Sequence, residues 1–214
     1  MIDNYDKLPL GKFLELRSLD IAGMEEIDVQ VSIISILSDM GENDIMNLPL
    51  PEYKKMAQKT HFLTTQPKKE NKVPKKIFMD GKEYEVVTDV EKMTAGQYID
   101  YQTYLGYKDE KYLPHILSTI IIPKGEKYGD TDILEVIKTI EEHLPISVAV
   151  SLSAFFLKRW QSLTRATLTY LILRMKWMKR REKNMMAREK MEEAITMMTT
   201  LRTSIKNGDG LDLQ

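Results

Sequence analysis

The sequence predicts a mainly α protein, a helical domain with one inserted β-hairpin and a long C-terminal helix. Three observations carry that class. Apolar residues recur at three- and four-residue steps along much of the chain, and one Asp-Gly pair lies between two short runs of strand formers. From residue 168 onward, apolar side chains fall mostly on one helical face as far as Ile205.

Composition agrees with a chain that buries a core. It has 214 residues, a formal net charge of -1, 29% charged and 43% hydrophobic residues, the profile of an ordinary globular protein. Cysteine is absent, which excludes disulfides, thiolate metal sites and a cysteine nucleophile. The opening "MIDNYDKLPL" has neither a basic start nor an apolar run, so no secretory signal is expected. The longest uncharged apolar stretch, "LPISVAVSLSAFFL" at 144–157, falls short of the roughly 20 residues that span a bilayer. No membrane role is expected.

The elements follow in order. Residues 7–63 read as an N-terminal helical region in which acids outnumber bases. There Ile27, Val31, Ile34 and Leu37 form a helix-period stripe, with Gly41 as its expected stop, and Pro51 suits the first turn of a later helix. Residues 64–76, "TTQPKKENKVPKK", are rich in proline and charge and read as a linker.

Residues 77–157 are expected to form the hairpin and a central helical unit. In "KKIFMDGKEYEVV" a two-residue Asp80-Gly81 loop, both residues tolerant of positive φ, sets Ile77 opposite Tyr84 and Lys76 opposite Glu85. "MTAGQYIDYQTYL" supplies a capping box between Thr94 and Gln97. Helices are expected around 110–122 and 132–144, the second opened by Asp132 and Glu135. The expected core comprises Ile121, Ile122, Ile133, Val136, Ile137, Ile140, Val148, Leu152, Phe155 and Phe156.

Pro145 opens the last helical stretch, and 158–206 is read as a long C-terminal interaction helix, followed by a tail at 207–214 with Gly208 as its breaker. If continuous from 160 to 206, the helix would span roughly 70 Å. Such a helix projects or pairs with a partner. Its apolar stripe includes Leu171, Met175, Met178, Met185, Met191, Ile195, Met198 and Leu201, and seven of the 14 methionines lie between 175 and 198. Flexible, polarizable Met side chains suit an adaptable interface.

"KRREKN" at 179–184 interrupts this stripe, making Lys179, Arg180, Arg181 and Lys183 the candidate nucleic-acid contacts. The basic residues go almost all round the helix, so packing on another helix is preferred to phosphate binding. No cofactor or metal is expected. His61, His115 and His143 are far apart and lack a ligand spacing. "PKGEKYGDTD" matches no phosphate-binding loop, and no nucleophile motif is present, so no enzymatic role is assigned.

Five segments, "KLPLGKFLELRSLD", "IFMDGKEYEVV", "MTAGQYIDYQTYL", "IIIPKGEKYGDTDILEVI" and "LSAFFLKRWQSLTRATLTYL", occur in that order over most of residues 7–171. Together they resemble a structural and morphogenesis protein family of tailed bacteriophages of gut Bacteroidetes, crAss-like phages included. The resemblance implies a non-catalytic role: a neck or tail (connector ring) component, or alternatively a tail assembly chaperone that binds a tail protein before polymerisation. Implied partners are further copies of the chain or other phage tail or connector proteins, in the virion or in the cytoplasm of the infected bacterial host. The family pattern stops before the Met-rich extension at 172–206.

Overall fold

The computed structural model describes residues 1–68, 73–107, 109–182 and 184–207. Part of the expected linker, Lys183 and the tail with Gly208 therefore lie outside the described residues. The chain divides into two compact units, one ending at Ala154 and the other beginning at Phe155. Mainly α architecture is observed, with one small antiparallel sheet in the first unit.

The first unit begins with α1 (Leu10–Ser18), α2 (Glu26–Ser38), α3 (Glu42–Met46) and α4 (Leu50–Lys59), which runs into a 3-10 turn. On α2 the expected stripe is buried at Val31, Ile34 and Leu37. Ile45 of α3 packs on Val31 and Ile34, backed by Tyr53 and Met56 of α4. Ile27, one turn earlier on the same face, is 51% exposed, because the five-residue α3 does not extend far enough to cover it. The helix also stops earlier than expected. Asp39 takes the left-handed conformation (φ 58°) and its amide donates to Ser35 O, a cap that a short polar side chain tolerates. Gly41 instead precedes α3 as its N-cap.

The hairpin forms as expected. β1 (Lys76–Met79) and β2 (Lys82–Val86) pair antiparallel with Ile77 opposite Tyr84 and Lys76 opposite Glu85. Asp80 and Gly81 have φ of 47° and 70°, the two positive values a type I′ turn requires. The charge pairing differs from the register: the Lys76 ammonium lies 2.6 Å from Glu83, diagonally across the strands, and Lys124 lies 2.8 Å from the same carboxylate.

A third strand was not expected. The predicted helix at 110–122 is instead a 3-10 turn (Glu110–Tyr112), α6 (Leu113–Ser118) and β3 (Ile121–Pro123), which pairs with the second edge of β2. Consecutive β-branched residues at 120–122 favour the extended backbone, and β2 supplies its hydrogen-bonding partners. Ile77, Met79, Tyr84 and Val86 are buried, and α7 (Ile133–His143) touches β1 and β3.

Local caps explain the starts of α5 and α7. Before α5 (Ala95–Gly106), the Gln97 amide donates to Thr94 Oγ1 at 3.2 Å and the Thr94 amide to Gln97 Oε1 at 2.8 Å, the predicted capping box. The Gln97 side chain, 2% exposed, also donates to Thr119 O at 2.9 Å and so ties α5 to the end of α6. Nearby, burial pushes the Tyr101 phenol up to about 12. Before α7, Asp132 accepts the amides of Leu134 and Glu135. The Glu135 side chain, expected to share in this cap, instead forms an ion pair with Lys82 at 3.0 Å.

The core extends to the start of the chain. Ile121, Val136, Ile137, Ile140, Leu152 and Phe156 are buried as expected, whereas Ile122, Ile133, Val148 and Phe155 are half-buried. Phe155 and Phe156 belong to the second unit. Leu8 and Leu10 are fully buried, held by Leu10 N donating to Leu144 O and Ile146 N to Leu8 O, both at 2.8 Å. Helix packing here is close: a Cβ on Gly11 would lie 2.9 Å from the Glu141 carbonyl oxygen.

The C-terminal stretch is not one continuous helix. α8 (Ile146–Arg181) ends at the basic cluster and α9 (Met185–Asn207) begins after it. No described helix is long and apolar enough to cross a membrane.

Candidate interaction surface on the helical hairpin

Two local signals end α8 and start α9. Lys179, Arg180 and Arg181 occupy the last turn of α8, where cations offset the partial negative charge of the unpaired carbonyls. Asn184 then caps α9: its Oδ1 accepts the Ala187 amide at 3.3 Å, while Asn184 N donates to Glu182 Oε1 at 2.8 Å. Asn before a renewed apolar period is a helix-start signal present in the sequence. The long stripe obscured it.

The two helices run antiparallel. Lys179 forms an ion pair with Glu192, and Arg202 donates to Thr169 Oγ1 at 3.5 Å. Between these contacts the numbering falls by ten on α8 and rises by ten on α9, the register of an αα-hairpin. Leu168 and Ile172 of α8 and Ile195 of α9 are 8%, 4% and 8% exposed and share the faces that bear those contacts.

The residues singled out in the sequence divide accordingly. Ile195 is buried, and Met175, Met178, Met191 and Met198 are half-buried. Leu171, Met185 and Leu201 are exposed at 36%, 76% and 50%. Much of the stripe expected to meet a partner thus lies within a hairpin of the chain itself. Lys179 is engaged with Glu192, and Arg180 and Arg181 are exposed.

A second apolar stripe escaped the sequence reading. Tyr170, Leu173 and Trp177, spaced i, i+3 and i+7, are 61%, 62% and 54% exposed. At 100° per residue they lie roughly 160° round the helix from the Leu168, Ile172 and Met175 face. α8 is therefore apolar on two opposite sides. The Arg181 guanidinium stands 3.8 Å from the Trp177 ring centroid, a cation–π contact that holds both groups at the surface. Exposed Arg174 and Arg180 lie on either side of the same stripe.

Next to it Lys176, Lys179, Arg180, Arg188, Glu192 and Ile195 line a shallow groove of about 270 Å³. Four cations against one carboxylate give it a positive character. The charge of the chain is strongly divided: residues 1–154 carry 26 acidic and 18 basic side chains, and residues 155–214 carry six and thirteen. A net charge near zero conceals this separation.

The candidates for other chemistry stay apart. His61 and His143 are exposed, and the His115 ring lies 5.2 Å from the Tyr104 ring and 5.5 Å from that of Tyr112, in an aromatic cluster. Among the described residues no group of three or more His, Asp and Glu side chains could hold a metal ion. No family model, curated protein or solved structure matches the chain.

Proposed function

We propose that this chain is a non-catalytic assembly protein of a tailed phage, a neck or tail component that joins its neighbours through the outer face of α8. The two-sidedness of α8 supports this reading. One apolar face lies toward the hairpin seam, whereas Tyr170, Leu173 and Trp177 have no such role and remain more than half exposed. Among the described residues, eight exposed large apolar side chains fall between 170 and 201. Exposed apolar side chains lower solubility, so this density suits an association surface rich in aromatic residues and Arg. The phage setting rests on the resemblance of the five segments alone.

Mass spectrometry of purified virions tests the setting: stoichiometric presence supports a structural component, whereas absence despite expression supports the chaperone reading. Light scattering tests the surface. Leu173→Ser with Trp177→Ala should abolish association while leaving the thermal transition in place, and unchanged association would overturn the assignment. The basic groove favours a second reading, nucleic-acid binding, which requires a steep loss of duplex affinity with salt.

A further inference from the structure

The exposed stripe of α8 is basic at its borders, so its occupant should be apolar in the middle and acidic around. Within this chain the first turns of α2 have that character. Ile27 is the uncovered end of the buried Val31 and Ile34 stripe. Glu26 and Asp28 lie on either side of it on the helix, and both are exposed. Neither appears in an ion pair among the described residues. On α8 the corresponding positions are Leu173 and Trp177, flanked by Arg174 and Arg180.

We infer that the Tyr170, Leu173 and Trp177 face of α8 docks on the Ile27 end of α2 in a second copy of the chain. The inference rests on the proposed assembly role and names the occupant of its surface. The division of charge supports a second copy in particular, because each molecule carries an acidic excess in one unit and a basic excess in the other. Opposite signs on two different surfaces steer copies together and disfavour the pairing of like surfaces. The contact is heterologous, head to tail, and a row of copies of any length keeps one free surface of each kind, at its two ends. Such a contact closes into a ring when its rotation closes and otherwise gives a filament.

Complementary variants test this on the full chain, with circular dichroism confirming the fold of each. Arg174→Glu with Arg180→Glu destroys the basic surface, and Glu26→Lys with Asp28→Lys the acidic one. Each should be monomeric alone by light scattering, and an equimolar mixture should assemble again with the two variants alternating, because the parental pair of surfaces and the charge-reversed pair are each complementary. A chain with all four changes should assemble again. Ile27→Ser, which leaves the charges of α2 intact, should weaken assembly at least tenfold. If the α8 variant is monomeric but the α2 and Ile27 variants assemble like the parent, the occupant is not α2: this inference falls and the assembly role of α8 stands. If the parent is monomeric at every concentration, both fail. Loss in the α8 variant of binding to duplex DNA or to phosphatidylserine vesicles, with assembly unchanged, would also overturn both.

Discussion

Residues 1–154 and the hairpin that follows them treat apolar surface differently. In the first unit the side chains that hold elements together lie at or near zero exposure: Leu8, Leu10, Ile34, Ile120, Ile140 and Leu144. Among the described residues of the hairpin the buried apolar side chains Phe156, Leu168, Ile172 and Ile195 each keep a few per cent of exposure, and a second stripe lies open on the outer side of α8. Two antiparallel helices enclose one seam, so each retains an outer face that only a third element can cover. The first unit stacks helices and a sheet, and its exposed large apolar side chains, from Met1 to Leu134, are spread over many elements rather than gathered on one helix. Ile27 is one of them.

The largest expected effect separates the two regions directly. Ile140→Ala removes a fully buried side chain of α7 and should cost about 2–5 kcal/mol through lost burial and residual cavity. Leu173→Ala, at a site 62% exposed, should change stability by less than about 0.5 kcal/mol. Denaturant melts of both variants measure the contrast, and similar costs would mean that the α8 stripe is core.

Gly11→Ala gives a smaller effect whose sign is informative. Gly11 is in the first turn of α1, where helix propensity favours Ala by at most about 1 kcal/mol. The added methyl would meet the Glu141 carbonyl oxygen at 2.9 Å, a backbone atom held in α7. Overpacking of this kind costs about 1–3 kcal/mol. A lower thermal midpoint is expected, and a higher one would show that α1 and α7 can separate without penalty.

Asn184→Ala acts on the hairpin alone. Loss of the cap should cost about 0.5–2 kcal/mol, read as faster hydrogen exchange in the first turn of α9 with unchanged exchange in α7. Asn184→Asp should keep most of the protection. Equal exchange in all three proteins would remove the cap as the cause of the break.

These features differ in how far the sequence reveals them, and the difference follows the range of the interactions. The Thr94 capping box and the Asp80-Gly81 register depend on residues within a few positions of one another, so their chemistry is visible in the linear chain. β3 is not visible in this way: three residues become a strand because β2, more than thirty positions earlier, presents a free edge. Ile27 illustrates an intermediate case. Its stripe is legible, but its exposure depends on the length of α3. The hairpin break was legible at Asn184 and masked by a periodicity that continues beyond it. The stripe of Tyr170, Leu173 and Trp177 was hidden for the reverse reason. With apolar residues on both sides of α8, only the structure distinguishes the covered face from the open one.

The smallest predicted effect concerns Glu83, whose carboxylate joins all three strands. It accepts from Lys124 at 2.8 Å, beside β3, and lies 2.6 Å from Lys76 on β1. Lys124 foremost, then Lys76, holds the Glu83 carboxyl below its ordinary range. A depressed folded-state pKa gives stability that is present above the unfolded value, about 4.3 for Glu. That stability is lost as pH falls through the folded value. Glu83→Gln should therefore lower the thermal midpoint most at neutral pH and progressively less as pH drops below about 4. Both lysines are more than half exposed, so salt should also narrow the gap between parent and variant. Thermal melts across pH, at low and high salt, measure it. A gap independent of both would mean that Glu83 acts through packing or neutral hydrogen bonds, and that charge contributes nothing to holding the sheet together.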